Sequence, residues 1–135
     1  MSIVARSKAR MPAGMPVRSL SASVLKWPDG RTVDASLRRW ASAVAERRRD
    51  VVRIGYFGLY ARSDWGAGSE LDLVVIVTGT QQRFEQRAIE WDTTGLPVPA
   101  DLLIYTQSEW DRLSGRIAET LLRETIWVHA REKTT

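Results

Sequence analysis

Two carboxylates separated by one apolar residue stand at the start of a strongly apolar segment. Glu70 and Asp72 flank Leu71, and residues 73–77 that follow are all apolar. Side chains alternate across a β-strand, so Glu70 and Asp72 project from the same face, about 7 Å apart along the chain. Neighbouring carboxylates repel each other, and a hard cation between them would remove that repulsion. The pair therefore indicates a divalent-metal site, although acidic residues at strand starts are often simply solvated.

A third carboxylate, Asp101, stands at the start of another apolar segment, residues 101–105, which predicts a further strand. If this strand lies near the first, Asp101 supplies another oxygen ligand beside Glu70 and Asp72. Three carboxylates and bound water can hold Mg²⁺ or Mn²⁺, and nucleotide phosphates can fill the remaining positions. Glu70, Asp72 and Asp101 are therefore both the metal-ligand and the catalytic candidates.

Further segments would build the scaffold around these residues. Residues 33–48 carry apolar residues at helical spacing, residues 51–57 predict a buried strand, and residues 81–91 predict a helix. A last helix is expected with Ser108 as its cap, followed by a short strand over 126–128 or simply the end of that helix. The apolar side of residues 81–91 comprises Phe84, Ala88 and Trp91, and that of the last helix comprises Trp110, Leu113, Ile117 and Leu121.

The alternation of helices and strands predicts an α/β (α+β) fold, in which helices flank a small β-sheet. The connection between the strands at 51–57 and 71–77 is short for a full crossover helix. Antiparallel neighbours need no such crossover, so the sequence favours a mixed sheet over a purely parallel one.

Composition excludes several kinds of site. The chain has 135 residues and no cysteine, which excludes disulfides, a thiolate zinc site and a cysteine nucleophile. No apolar run has the length of a membrane span and no signal-peptide core follows the start, so the cytoplasm is the expected location. Residues 1–49 hold 11 Lys/Arg against 3 Asp/Glu, whereas residues 50–135 hold 9 against 13. The acidic second part suits cation binding.

The basic first part predicts an arm followed by a single domain. Residues 1–18 are basic, contain no acid and show no apolar period, so we expect a flexible arm at 1–18 and one domain over 19–135. Arg47, Arg48 and Arg49 end a predicted helix, where cations suit the helix dipole. That is sufficient reason for them, and a nucleic-acid partner is not expected.

The residues around the acidic pair resemble a known family. The segments are Phe57-Gly58-Leu59-Tyr60-Ala61-Arg62, Asp64-Trp65-Gly66, Ser69-Glu70-Leu71-Asp72-Leu73 and Ala100-Asp101-Leu102. They resemble the polymerase-beta-type nucleotidyltransferases, and within them the small bacterial minimal nucleotidyltransferase domains. In that family a glycine ends one strand, a carboxylate–apolar–carboxylate strand follows, and a third carboxylate comes from a later strand.

The resemblance implies a role for each residue. Glu70 and Asp72 would bridge two metal ions, one of which carries the nucleoside triphosphate. Asp101 would join the other ion and help to activate the acceptor hydroxyl. Gly58 would let the backbone approach the phosphates, and Arg62 would either supply a cation there or be an ordinary surface residue.

Two residues depart from the family pattern. Leu59 stands where a serine or glycine is usual, and a serine hydroxyl would contact phosphate. Losing a hydrogen bond to a charged group costs about 1.5–3 kcal/mol, or roughly one to two decades in affinity or rate. Glu70 replaces the commoner aspartate, and its extra methylene shifts the ligand oxygens.

Two functions follow as hypotheses. The first is metal-dependent transfer of a nucleoside monophosphate from a nucleoside triphosphate, with ATP expected, to a hydroxyl of a protein or a small molecule. The alternative is a catalytically impaired binding module, similar to the antitoxins of this family, that pairs with a helical ribonuclease-type toxin. A homodimer could equally supply a missing wall of the site. Trp65, in the loop beside the site, could stack on a base or simply pack the loop down.

Overall fold

The computed structural model describes residues 27–131, so the basic arm predicted at residues 1–18 lies outside the described part. Eight elements follow one another within these residues. They are α1 (Gly30–Arg47), β1 (Val51–Phe57), β2 (Leu71–Val77), a 3-10 helix (Phe84–Glu90), β3 (Ala100–Thr106), α2 (Gln107–Asp111), α3 (Gly115–Glu124) and β4 (Ile126–Ala130).

The four strands form one mixed sheet in the order β3-β2-β1-β4. β1 runs antiparallel to both β2 and β4, whereas β2 and β3 are parallel. The short β1–β2 connection thus joins antiparallel neighbours, and the 3-10 helix lies within the longer crossover between the parallel pair. The mixed sheet predicted from the sequence is confirmed.

α1 covers one face of the sheet with its apolar stripe. The helix begins after Asp29, whose carboxylate accepts a hydrogen bond from the Thr32 N–H at 2.9 Å and so caps the first turn. The alternation of β2 sends every second side chain into the same core and leaves Asp72 on the opposite face. α1 and β2 contribute the following residues to this core: Val33, Leu37, Trp40, Ala41, Val44, Leu71, Leu73, Val75 and Val77.

The single last helix predicted from Ser108 is wrong. The chain forms two helices, α2 and α3, and Gly115 at the junction has a φ of 81°, a left-handed value that interrupts a continuous helix. Thr106, not Ser108, caps α2 through a capping box with Glu109. Ile117, expected in the core stripe, is 41% exposed.

The helix predicted over residues 81–91 is shorter than expected and of the 3-10 type. Ala88 and Trp91 pack against the core as predicted, but Phe84 is 41% exposed. The buried residue of this helix is Arg87, which a pattern of apolar residues cannot reveal. None of the helices within residues 27–131 is both long and apolar enough to cross a membrane.

Candidate metal and nucleotide site

β2 and β3 bring two of the predicted carboxylates side by side. The strands are parallel, and their register pairs Asp72 directly with Asp101. Neighbouring strands lie about 4.8 Å apart, and paired residues project from the same face of the sheet. Both carboxylates therefore lie on the face opposite α1, and Glu70 precedes Asp72 on the same strand edge. We call Glu70, Asp72 and Asp101 the acidic edge.

The Asp72 carboxyl is half-buried among other charges. Burial, followed by the negative charges of Asp101 and Glu70, raises the pKa of Asp72 from 3.8 to about 6. Arg62 acts in the opposite direction and lowers this pKa. The negative charges of Asp101 and Glu70 therefore oppose ionisation of Asp72, and a bound cation would relieve this repulsion.

Asp101 is exposed as a residue, but partial burial of its carboxyl raises its pKa, and the charge of Glu70 together with a hydrogen bond to Glu70 adds to this shift. Across residues 27–131, no three His, Cys, Asp or Glu side chains already surround a point that could hold a metal ion. The acidic edge nevertheless offers carboxylate oxygens with excess negative charge, and a hard divalent cation prefers ligands of this type. The assignment of Glu70, Asp72 and Asp101 as metal ligands stays a prediction.

Gly58 follows β1 and lies against the acidic edge. Its φ of 78° is in the left-handed region, and a Cβ at this position would overlap Oδ2 of Asp72. Any other residue would therefore strain the backbone and displace the carboxylate. The turn and the close approach to Asp72 both require glycine here.

Arg62 lies near the acidic edge, but its charge is shared with other carboxylates. Its Nη1 lies 3.1 Å from Oε1 of Glu124, and its Nε lies 3.6 Å from Oδ2 of Asp64. The Gly58 N–H donates to the same oxygen of Glu124 at 3.3 Å. Sequence analysis missed Glu124 because it is 66 residues from Gly58 and no local spacing indicates that contact.

Leu59 and Trp65 lie in the loop that connects β1 to β2. The Leu59 side chain is 38% exposed, so an apolar group lies at the surface next to the Gly58 turn. Trp65 stacks on Tyr60 with ring centroids 5.8 Å apart and packs against the core. This supports the interpretation of Trp65 as a residue that holds the loop down.

The amino-acid sequence of the chain matches a known protein family. The sequence model of the family described as Nucleotidyltransferase domain matches residues 37–128, which include all three carboxylates and Gly58. The chain therefore belongs to the nucleotidyltransferase domain family, and a nucleotidyltransferase-type function follows. This confirms the resemblance drawn from the residues around Gly58 and the acidic pair.

A solved structure supports the fold. A protein from Sulfolobus solfataricus, assigned provisionally as a nucleotidyltransferase, is similar to this chain with a TM-score of 0.57 and 15% sequence identity. The similarity covers 90% of this chain and 96% of that chain. At this identity the comparison concerns the fold alone, and it confirms a mixed sheet flanked by helices. A comparison with curated proteins found no match.

Proposed function

We propose that the chain is a metal-dependent nucleotidyltransferase that moves a nucleoside monophosphate from a nucleoside triphosphate to a hydroxyl acceptor. ATP and Mg²⁺ (or Mn²⁺) are the expected nucleotide and ion. The observation that carries this proposal is the register of β2 and β3, which pairs Asp72 with Asp101 beside Glu70. Like charges on neighbouring strands oppose folding, so their presence favours a site that binds a cation.

The three residues of the acidic edge would act together in the proposed reaction. Glu70, Asp72 and Asp101 would hold the divalent metal, which when bound supplies positive charge to the phosphates of the nucleotide. Asp101 would also help to activate the acceptor hydroxyl, by accepting its proton as the hydroxyl oxygen attacks the α-phosphorus. The bond from that phosphorus to the bridging oxygen of the β-phosphate breaks, and pyrophosphate leaves.

Gly58 and Arg62 would orient the nucleotide rather than take part in bond changes. The backbone at Gly58 approaches Asp72 because the residue has no side chain, and its N–H, which donates to Glu124, is a donor near that edge. Arg62 lowers the pKa of Asp72, which supports a role for its charge near the phosphates. The acceptor itself would be a protein or small-molecule hydroxyl, held in part by a partner chain or a second copy.

Incubation with α-labelled ATP and either Mg²⁺ or Mn²⁺, in the presence of a cell lysate as a source of acceptors, tests this function. The wild-type chain should transfer label to itself or to another molecule, and Asp72→Ala should abolish transfer. Asp111→Ala, at an exposed position of α2, is the matched control and should retain it. Equal labelling with wild-type protein and with Asp72→Ala would contradict the proposal.

One observation favours the alternative of an antitoxin-like binding module that pairs with a helical ribonuclease-type toxin. Leu59 exposes an apolar side chain beside the site, where a hydrogen-bonding residue would serve phosphate better. Exposed apolar side chains are more useful in a protein contact than at a phosphate site. The labelling experiment separates the two functions, because a binding module transfers no label with any ion.

A further inference from the structure

Glu124 places a carboxylate between two donors that the proposed reaction assigns to phosphate. It is the last residue of α3, and its Oε1 accepts a hydrogen bond from the Gly58 N–H at 3.3 Å and from the Arg62 guanidinium at 3.1 Å. The Glu124 side chain is 14% exposed, whereas that of Arg62 is 44% exposed. A shielded carboxylate oxygen therefore occupies the position where both donors meet.

A backbone N–H and a guanidinium aimed at one point form an anion site. Carboxylate and phosphate oxygens compete for such donors, because both accept charge-assisted hydrogen bonds of similar length. The single N–H of Gly58 makes one good hydrogen bond at a time. A phosphate group can therefore use both donors only after Glu124 has left them.

We propose that Glu124 is a specificity-determining residue, which holds the phosphate position and yields it only to a polyphosphate that is also anchored at the acidic edge. This inference rests on the proposed function, because that function assigns Gly58 and Arg62 to phosphate. A carboxylate tethered to the same chain competes at a high effective concentration. A ligand with one phosphate and no other anchor competes poorly with it.

A metal-bound triphosphate has a second point of attachment. Its ion would be held by Asp72 and its neighbours, and Asp72 lies directly against Gly58, so displacement of Glu124 adds to binding already gained there. Glu124 thereby selects metal-bound polyphosphates over the monophosphates and carboxylates that share their charge.

Calorimetric titration of the full chain with inorganic pyrophosphate, without added metal, tests the competition directly. Glu124→Gln removes the charge and keeps the size of the side chain, so it should bind pyrophosphate at least about tenfold more tightly than wild type. Glu119→Gln is the matched control, because it removes an exposed charge from the same helix. It should stay within about twofold of wild type.

A second substitution identifies the donors. Arg62→Met, added to Glu124→Gln, should abolish the gain, since the gain requires the freed guanidinium. Should Glu124→Gln fail to fold by circular dichroism, Glu124→Asp keeps the charge on a shorter side chain and should show a smaller gain. Unchanged pyrophosphate affinity in a folded Glu124 variant, or a gain that survives Arg62→Met, would overturn the proposal.

Failure of this inference and failure of the proposed function give different results. Tighter pyrophosphate binding without any nucleotide transfer would retain the role of Glu124 in anion competition and remove the catalytic role of the site. Transfer by the wild type without tighter binding in Glu124→Gln would retain the catalytic function and remove the role of Glu124.

Discussion

Asp72 is a half-buried carboxylate whose neighbours are mostly of its own charge. Burial, Asp101 and Glu70 all raise its pKa, and Arg62 only partly offsets them. An apolar or amide side chain would avoid this repulsion at no loss of packing. Residues that carry such a cost in the unliganded protein are typical of binding and catalytic sites.

The substitution Asp72→Asn should stabilise the metal-free protein at about pH 7.5. The folded pKa is raised from 3.8 to about 6, so ionisation of Asp72 opposes folding. That penalty grows between pH 3.8 and about 6 and is constant above this range. With allowance for solvent screening of a partly exposed group, we expect a gain of about 1 kcal/mol.

Urea unfolding at about pH 4 and about pH 7.5 measures this difference. The variant should be more stable than wild type at the higher pH and close to it at the lower pH. Asp111→Asn, at an exposed carboxylate, should leave stability nearly unchanged at both. A gain of equal size at the two pH values would show that the charge of Asp72 is not its cause.

At the scale of elements, Arg87 and Glu109 join the 3-10 helix to α2. Arg87 is 7% exposed, and its guanidinium donates two hydrogen bonds to the Glu109 carboxylate, at 2.7 and 3.0 Å. It also donates to the Ile104 carbonyl of β3 at 2.8 Å. Since β3 carries Asp101, this pair helps to fix the strand that completes the acidic edge.

The substitution Glu109→Gln should therefore destabilise the protein. The hydrogen bond from Arg87 is the main cause that lowers the pKa of Glu109 from 4.5 to about 2. The depressed pKa means that the contribution is complete above pH 4.5 and is lost as the pH falls towards about 2. Because Glu109 is partly exposed, we expect a loss of about 1 kcal/mol at neutral pH.

Thermal unfolding at neutral pH measures this loss, and a drop of about 3–6 °C in Tm is expected. Glu85→Gln is the matched control, since Glu85 pairs with Arg83 at 2.9 Å on an exposed surface. Exposed ion pairs contribute little, so that variant should melt close to wild type. Equal shifts in the two variants would show that burial of Arg87 gives its ion pair no advantage.

Local patterns predicted some elements well and others poorly. β1 and β2 are mostly apolar and rich in strand-forming residues, and both were predicted with the bounds that the structure shows. The break before Gly115 was missed because helical spacing of apolar residues continues through it. The break depends on the left-handed φ of Gly115, and the spacing of apolar residues carries no information about φ.

The candidate site was predicted only as far as its pattern is local. Asp72 lies in β2 and Glu70 immediately precedes that strand, so alternation along an extended chain predicts both on one face. The start of a second apolar segment and the family resemblance both pointed to Asp101. Arg87 and Glu124 were missed because each depends on a partner distant in sequence, 22 residues away for Arg87 and 66 for Glu124. Contacts of this kind follow from the assembled sheet and not from the spacing of residues.

At the scale of the whole molecule, charge is unevenly distributed. Acidic residues outnumber basic residues in 50–135, the part that contributes β2, β3 and the acidic edge, whereas basic residues predominate in 1–49. A bound divalent ion would offset the local excess of negative charge. We therefore propose that the sheet brings Asp72 and Asp101 together at a binding site for that ion.

Binding of Mn²⁺ to the full chain, followed by electron paramagnetic resonance with a non-hydrolysable ATP analogue present, measures whether Asp72 and Asp101 hold the ion. Wild type should bind the ion, and Asp101→Asn should weaken binding at least about tenfold, because a charged ligand is lost. Asp111→Asn should bind like wild type. Absence of Mn²⁺ binding in the wild type, or equal binding in Asp101→Asn, would contradict the claim.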